Sequence, residues 1–80
     1  MNLVELTEFI VRNLVAESDS VSVKEIESEE CLLIEVIVAE DDKGKVIGKG
    51  GSIANAIRTI VQASSYANKN KPVRINIDSI

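Results

Sequence analysis

The chain has 80 residues, with 9 Lys and Arg, 13 Asp and Glu, and a net charge of −4. This length predicts one domain over residues 1–80, with room for a single small hydrophobic core. The sequence has no histidine and one cysteine, so it lacks the commonest general base and metal ligand and cannot form an intramolecular disulfide. We therefore expect no enzyme, no cofactor, no metal and no small-molecule substrate.

The same features predict a cellular location. The N-terminus lacks the basic residues and long apolar stretch of a signal peptide, and no apolar segment approaches the length needed to cross a bilayer. The single cysteine, Cys31, fits a reducing cytoplasm, and its place at the start of an apolar run predicts that it is buried. We expect a cytoplasmic protein without a membrane partner.

The first elements in chain order are a helix and two strands. Asn2 followed by Glu5 is typical of a helix cap, and an apolar repeat at helical spacing then predicts an amphipathic helix that ends at 18–20. The inward residues of this helix should be Leu3, Leu6, Ile10 and Leu14. Alternation from Val21 predicts a strand, short or bulged because 25–26 break the pattern. Residues 31–39 are apolar almost throughout, which indicates a central strand.

The second half of the chain contains a glycine-bounded loop. Residues 43–47 have room for about one helical turn before Gly48-Lys49-Gly50-Gly51. Glycines at both ends permit positive φ and remove the Cβ atoms that would hold a ligand away from the main chain. Since a helix N-terminus follows, the loop predicts a phosphate-binding site.

The spacing excludes two common phosphate-binding motifs. A mononucleotide P-loop needs four residues between its first glycine and the Gly-Lys pair, but three separate Gly44 from Gly48. The dinucleotide fingerprint requires a small residue at position 53, where the chain has Ile53. What remains is a Gly-x-x-Gly loop with Lys49 at its tip.

A long helix and a last strand complete the chain. Ser52 is positioned to cap the helix, which should run to about Ala67 before the turn at 68–72. Its residues Ile53, Ile57 and Val61 form one apolar stripe. The last strand places apolar residues inward at alternate positions from Val73. The order is α-β-β-α-α-β, and it predicts an α+β fold with a mixed three-stranded sheet and helices on one face.

Charge is distributed unevenly between the two halves. Residues 43–80 hold seven of the nine basic residues against Asp78 alone, whereas residues 1–42 hold twelve acidic residues. The loop therefore lies in the basic half, which favours a local anion-binding face on an acidic body.

Together the loop, its flanks and the element order resemble the type II, bacterial form of the KH domain. The matching residues are Val46, Ile47, Gly48, Gly51 and Ile57. The resemblance covers the whole chain, with a KH core at about 30–80, and is strongest to small stand-alone KH proteins of the KhpA type. It implies that the loop clamps about four unpaired nucleotides of single-stranded RNA. The expected RNA-binding residues are Lys43, Lys45, Ile47, Gly48, Lys49, Gly50, Gly51, Ser52, Asn55 and Arg58.

A second stripe on the long helix has two interpretations. Its residues are Ala56, Ile60, Ala63 and Ala67. The stripe either packs on the first helix within the domain or forms a dimer interface. Resemblance to the KhpA type implies a homodimer, or a heterodimer with a larger Jag-type KH protein. It further implies an RNA chaperone or post-transcriptional regulator that affects cell shape and cell wall biogenesis. The alternative is a protein-interaction module with a KH shape that acts mainly through its helices.

Overall fold

The computed structural model describes residues 2–68 and 71–80, with the backbone alone for 65–68. The elements in chain order are α1 (Leu3–Arg12), β1 (Ser22–Glu27), β2 (Leu32–Val38), α2 (Lys43–Ile47), α3 (Ser52–Asn68) and β3 (Val73–Ser79). Short 3-10 turns precede β1, α2 and α3. The predicted α+β order is confirmed.

The three strands form one mixed sheet in the order β1-β2-β3. β1 pairs antiparallel with β2, and β2 pairs parallel with β3. This is the predicted arrangement, because a hairpin joins β1 to β2 whereas α2 and α3 form the crossover between β2 and β3. β2 is therefore central, and its residues alternate between fully buried and partly exposed positions from Leu32 to Val38.

The core lies between the helices and one face of the sheet. Every second residue of β2, from Leu32 to Val38, is completely buried. Val11 of α1, Val46 of α2 and Val61 of α3 are also completely buried. A single apolar cluster therefore joins all three helices to the sheet, as expected for a domain of this size.

The structure decides between two predictions for β1 and corrects four others. β1 was predicted to be short or bulged; it has 6 residues and pairs continuously with β2 from Ser22 to Glu27, without a bulge. α1 ends at Arg12, well before 18–20, and its most buried face carries Thr7 and Val11, with Leu6, Ile10 and Leu14 only partly buried. The amphipathic helix is nevertheless capped at Asn2 as predicted, with a reciprocal bond to Glu5.

The other two corrections concern single side chains. Cys31 is partly exposed, because it precedes Leu32 and so lies on the opposite side of the strand alternation from the buried face. Ser52 has helical dihedral angles (φ −61°, ψ −41°), so it is the first residue of α3 and not its cap. In the part of the chain that is described, no helix is long and apolar enough to cross a membrane.

Candidate nucleic-acid interface

α2 is a five-residue helix that fixes the position of the glycine loop. Its Val46 side chain is completely buried in the core. At its C-terminal end, the N–H of Gly48 donates to the carbonyl of Gly44 over 2.9 Å. So short a helix is unstable alone, and its place depends on tertiary packing such as the burial of Val46.

The backbone of the loop is constrained at three glycines. Gly48, Gly50 and Gly51 have φ of +76°, +63° and +80°, a region that side-chain-bearing residues rarely adopt. Positive φ at the two bounding glycines was predicted, and the structure confirms it. The third positive φ, at Gly50, was not predicted.

Gly48 is required for a second reason. A Cβ built on it would lie 2.6 Å from Cγ1 of Ile53 and 2.9 Å from both the Cβ and the backbone N of Ile53. A Cβ on Gly50 or Gly51 would meet no atom within 4 Å. Gly48 therefore allows α3 to begin directly against the end of α2, whereas the other two glycines have open space where a side chain would lie.

Lys45 and Lys43, two of the predicted RNA-binding cations, are held by carboxylates. The Lys45 ammonium lies 3.3 Å from Oδ1 of Asp42, and the Lys43 ammonium lies 3.3 Å from Oδ1 of Asp78. Asp42 is buried, with 1% exposure, whereas Asp78 is exposed on β3. The pairing lowers the net positive charge that these two lysines present beside the loop.

Both carboxylates are stabilised in their ionised form. Backbone hydrogen bonds from Glu17 and Ala16, with a smaller contribution from Lys45, hold the pKa of Asp42 below its ordinary value of 3.8, although burial acts in the opposite direction. A hydrogen bond from the Ser79 amide, together with Lys43, lowers the pKa of Asp78. Both groups are therefore charged at neutral pH.

Lys49 and Arg58 remain available for an anion. Both side chains are exposed, and within residues 2–68 and 71–80 neither has a carboxylate oxygen within 4.0 Å. Lys49 lies in the loop, and Arg58 lies about two helical turns along α3. Ser52 and Asn55 are exposed on the first turn of α3, and Ile47 is half-buried at the end of α2.

The predicted dimer stripe does not belong to the core of this domain. Ala56 and Ala63 are exposed, and Ile60 is 49% exposed. The side chain of Ala67 lies outside the described residues. The three described members are therefore not buried within this domain, and the dimer interface stays a prediction.

Sequence reasoning missed the roles of Asp42 and Asp78. Asp42 precedes Lys45 by three residues, a spacing at which opposite charges meet on a helix surface, and that signal is visible in the sequence. Asp78 lies 35 residues from Lys43. No local pattern connects those two residues, because only the parallel strand crossover brings β3 beside α2.

A mixed three-stranded sheet with this element order, and a glycine loop between its second and third helices, defines a KH domain of type II. A family model described as KhpA/KhpB, KH domain, matches residues 4–77. The chain belongs to the KhpA/KhpB KH-domain family.

Several curated proteins are similar over nearly the whole chain. RNA-binding protein KhpA of Clostridium perfringens is 45% identical over 73 residues, which cover 91% of this chain and 96% of that protein. RNA-binding protein KhpA of Borreliella burgdorferi is 43% identical over 76 residues, which cover 95% of this chain and 92% of that protein.

Solved structures share the fold at lower sequence identity. A crystal structure of Aquifex aeolicus Era bound to GDP and AlF4− superposes with a TM-score of 0.72 at 23% identity, over 98% of this chain and 30% of that one. Era in complex with MgGDPNP and nucleotides 1506–1542 of 16S ribosomal RNA gives a TM-score of 0.68 at 24% identity, over 96% of this chain and 29% of that one.

Proposed function

We propose that this protein binds single-stranded RNA through the loop surface, defined here as α2, residues 48–51 and the first two turns of α3. The observation that carries the proposal is the exposure and the unpaired charge of Lys49 among the described residues. Lys49 is an exposed cation without a carboxylate partner among the described residues, on a loop whose glycines leave the main chain uncovered. The names of the relatives, which match over most of their length, support the same function.

The chemistry of this surface favours an unpaired strand. A phosphate can approach the bare backbone beside Lys49, and half-buried Ile47 offers an aliphatic contact for a base. The chain has one Phe, one Tyr and no Trp, so an aromatic stacking platform does not supply the affinity. Recognition then depends on splayed bases and on the sugar-phosphate backbone, which a fully paired duplex does not present in this form.

The test introduces negative charge at the tip of the loop. The double variant Lys49→Asp with Gly50→Asp should bind a fluorescently labelled unpaired RNA more weakly, because two carboxylates face the phosphate path. The matched control is Lys49→Gln with Gly50→Asn. It imposes similar backbone strain at the positive φ of Gly50 without adding negative charge. Polarisation titrations give the affinities, and far-UV circular dichroism checks the fold of each variant.

A comparison of the two variants separates the effect of added negative charge on RNA affinity from the effect of backbone strain at position 50. We expect a loss of affinity in the control, from removal of the Lys49 charge, and a distinctly larger loss in the Asp variant. Equal affinity of wild type and the Asp variant, with native circular dichroism in both, would refute RNA binding through this loop. Tighter binding of a duplex of the same sequence would refute the preference for unpaired RNA.

The assembly proposed is a homodimer, or a heterodimer with a larger Jag-type KH protein, through Ala56, Ile60, Ala63 and Ala67. The exposure of the three described members supports it, because an apolar stripe with small residues allows two helices to approach closely. The family name, which joins KhpA with KhpB, supports a KH partner. A single site for about four nucleotides binds weakly, so a second linked site would raise the overall affinity.

The cellular role proposed is that of a cytoplasmic RNA chaperone or post-transcriptional regulator affecting cell shape and cell wall biogenesis. Its support is the KhpA-type resemblance together with the printed names of the relatives. Crosslinked pull-down of the wild-type protein followed by sequencing of bound RNA tests it. Enrichment of specific transcripts that is lost in the Lys49→Asp, Gly50→Asp variant is the expected result, and identical RNA recovery from both proteins would contradict it.

A further inference from the structure

The buried carboxylate of Asp42 joins two parts of the chain that are distant in sequence. Its Oδ1 accepts a hydrogen bond from the N–H of Ala16 at 3.1 Å, and its Oδ2 accepts one from the N–H of Glu17 at 3.0 Å. These N–H groups lie in the connection between α1 and β1, where no helix or strand supplies them with partners. Asp42 thus satisfies two consecutive amides of that connection.

Asp42 is also the residue directly before α2. From it to Gly48 is six residues, about 9 Å at the rise of a helix. α2 is therefore held just before its first residue by this polar attachment and near its last residue by the buried side chain of Val46. A second polar attachment of α2, between Lys43 and Asp78, joins side chains that are 40% and 60% exposed, and exposed ion pairs contribute little.

We propose that Asp42 is a positioning residue for RNA binding: by clamping the Ala16 and Glu17 amides, it fixes α2 and thereby the backbone of the Gly48–Gly51 loop. Asp42 does not touch RNA and acts through α2. The inference rests on the proposed RNA-binding function for its effect on affinity, but its effect on the loop of the free protein does not depend on RNA.

The substitution Asp42→Asn separates two effects, because the change in charge and the loss of positioning are expected to change RNA affinity in opposite directions. Asp42→Asn removes a negative charge close to the loop and releases Lys45 from its ion pair, so charge alone would tighten RNA binding. Positioning predicts weaker binding, because an Asn side chain offers one acceptor and turns a donor towards the second amide. We expect a loss of affinity on the order of tenfold, the size associated with one charge-assisted hydrogen bond.

Asp41→Asn is the matched control. Asp41 is the neighbouring residue and is exposed, and its side chain makes no hydrogen bond or ion pair within residues 2–68 and 71–80. It carries the same charge change without the clamp, so its RNA affinity should stay equal or rise slightly. Polarisation titrations against the same RNA, at one salt concentration, compare both variants with wild type.

Amide NMR spectra of the free proteins provide the readout that is independent of RNA. In Asp42→Asn, the amide signals of Gly48, Lys49, Gly50 and Gly51 should shift and exchange faster with solvent, together with those of Ala16 and Glu17. Changes confined to Ala16 and Glu17 would overturn the inference, and so would RNA binding as tight as that of Asp41→Asn. If wild type binds no RNA, the proposed function fails, and the loop signals still decide this inference.

If Asp42→Asn does not fold, hydrogen exchange in the wild-type protein tests the same proposal. If the clamp holds the loop, the Gly48 amide, which donates to Gly44, should be protected from hydrogen exchange to a degree similar to the Ala16 and Glu17 amides. Strong protection of Ala16 and Glu17 together with rapid exchange at Gly48 would show that the loop opens while the clamp stays closed, and would overturn the proposal.

Discussion

Gly48→Ala is predicted to be the most damaging single-methyl change in the glycine loop. The new Cβ would lie 2.6 Å from Cγ1 of Ile53 and 2.9 Å from its backbone N. The side chain of Ile53 can rotate, but its backbone N belongs to the first turn of α3 and can move only if the helix moves. The backbone at Gly48 adds strain, since φ of +76° with ψ of 172° is a region occupied essentially by glycine alone.

The clash and the backbone strain together give an order-of-magnitude cost for Gly48→Ala in the free energy of unfolding. Such backbone strain costs about 1–3 kcal/mol, and overpacking a well-packed contact costs about 1–3 kcal/mol. Their combination, about 2–6 kcal/mol, is large against the roughly 4–12 kcal/mol that an 80-residue domain has in total. Since about 1 kcal/mol shifts the melting temperature of a domain this size by roughly 4–8 °C, we expect a fall of about 10 °C or more.

The other glycines provide matched controls. Gly51→Ala has the positive φ without the clash, so it should cost about 1–2 kcal/mol. Gly44→Ala lies in α2, where φ is not positive and space is open, and it should stabilise the protein by about 0.5–1 kcal/mol. Urea unfolding followed by far-UV circular dichroism measures all three. The reasoning is refuted if Gly48→Ala is no more destabilising than Gly51→Ala.

Three further predictions concern assembly, salt and acid. Ile60→Asp should convert a dimer into a folded monomer in light scattering, because Ile60 is already 49% exposed in the single chain; a monomeric wild type at high concentration contradicts the dimer. If RNA binds through Lys49 and Arg58 alone, the slope of log affinity against log salt should be about −1.4, at roughly −0.7 per phosphate contact. A slope of about −2.8 would correspond to four contacts, which requires Lys43 and Lys45 to leave their carboxylates and bind phosphates as well. The folded-state pKa of Asp42 is lowered from 3.8, so its contribution to stability is present above that pH and is lost as pH falls through the folded pKa. The difference in unfolding free energy between wild type and Asp42→Asn, measured in urea at several pH values, should therefore shrink in acid, and a pH-independent difference would contradict this.

Local patterns in the sequence were sufficient for the framework of the protein. The apolar run at 31–39 identified the central strand, because a strand with apolar residues on both of its faces is rarely an edge strand, where charged residues are preferred. The bounding glycines identified the loop and the positive φ at its two ends, Gly48 and Gly51, since a requirement for glycine is a property of the backbone at that residue. Element order then limited the topology, because a strand pair joined through helices is parallel.

Contacts between distant residues were decided only by the tertiary structure. The charge on Lys43 is balanced by Asp78, 35 residues away. α1 ends at Arg12 and not near 18–20. The amides of Ala16 and Glu17 donate instead to the carboxylate of Asp42, which lies 26 and 25 residues further along the chain. The sequence by itself determined which residues are able to bind an anion. The tertiary structure decided which of them are free to do so, because Coulomb attraction and hydrogen bonding depend on distances in space that no local pattern contains.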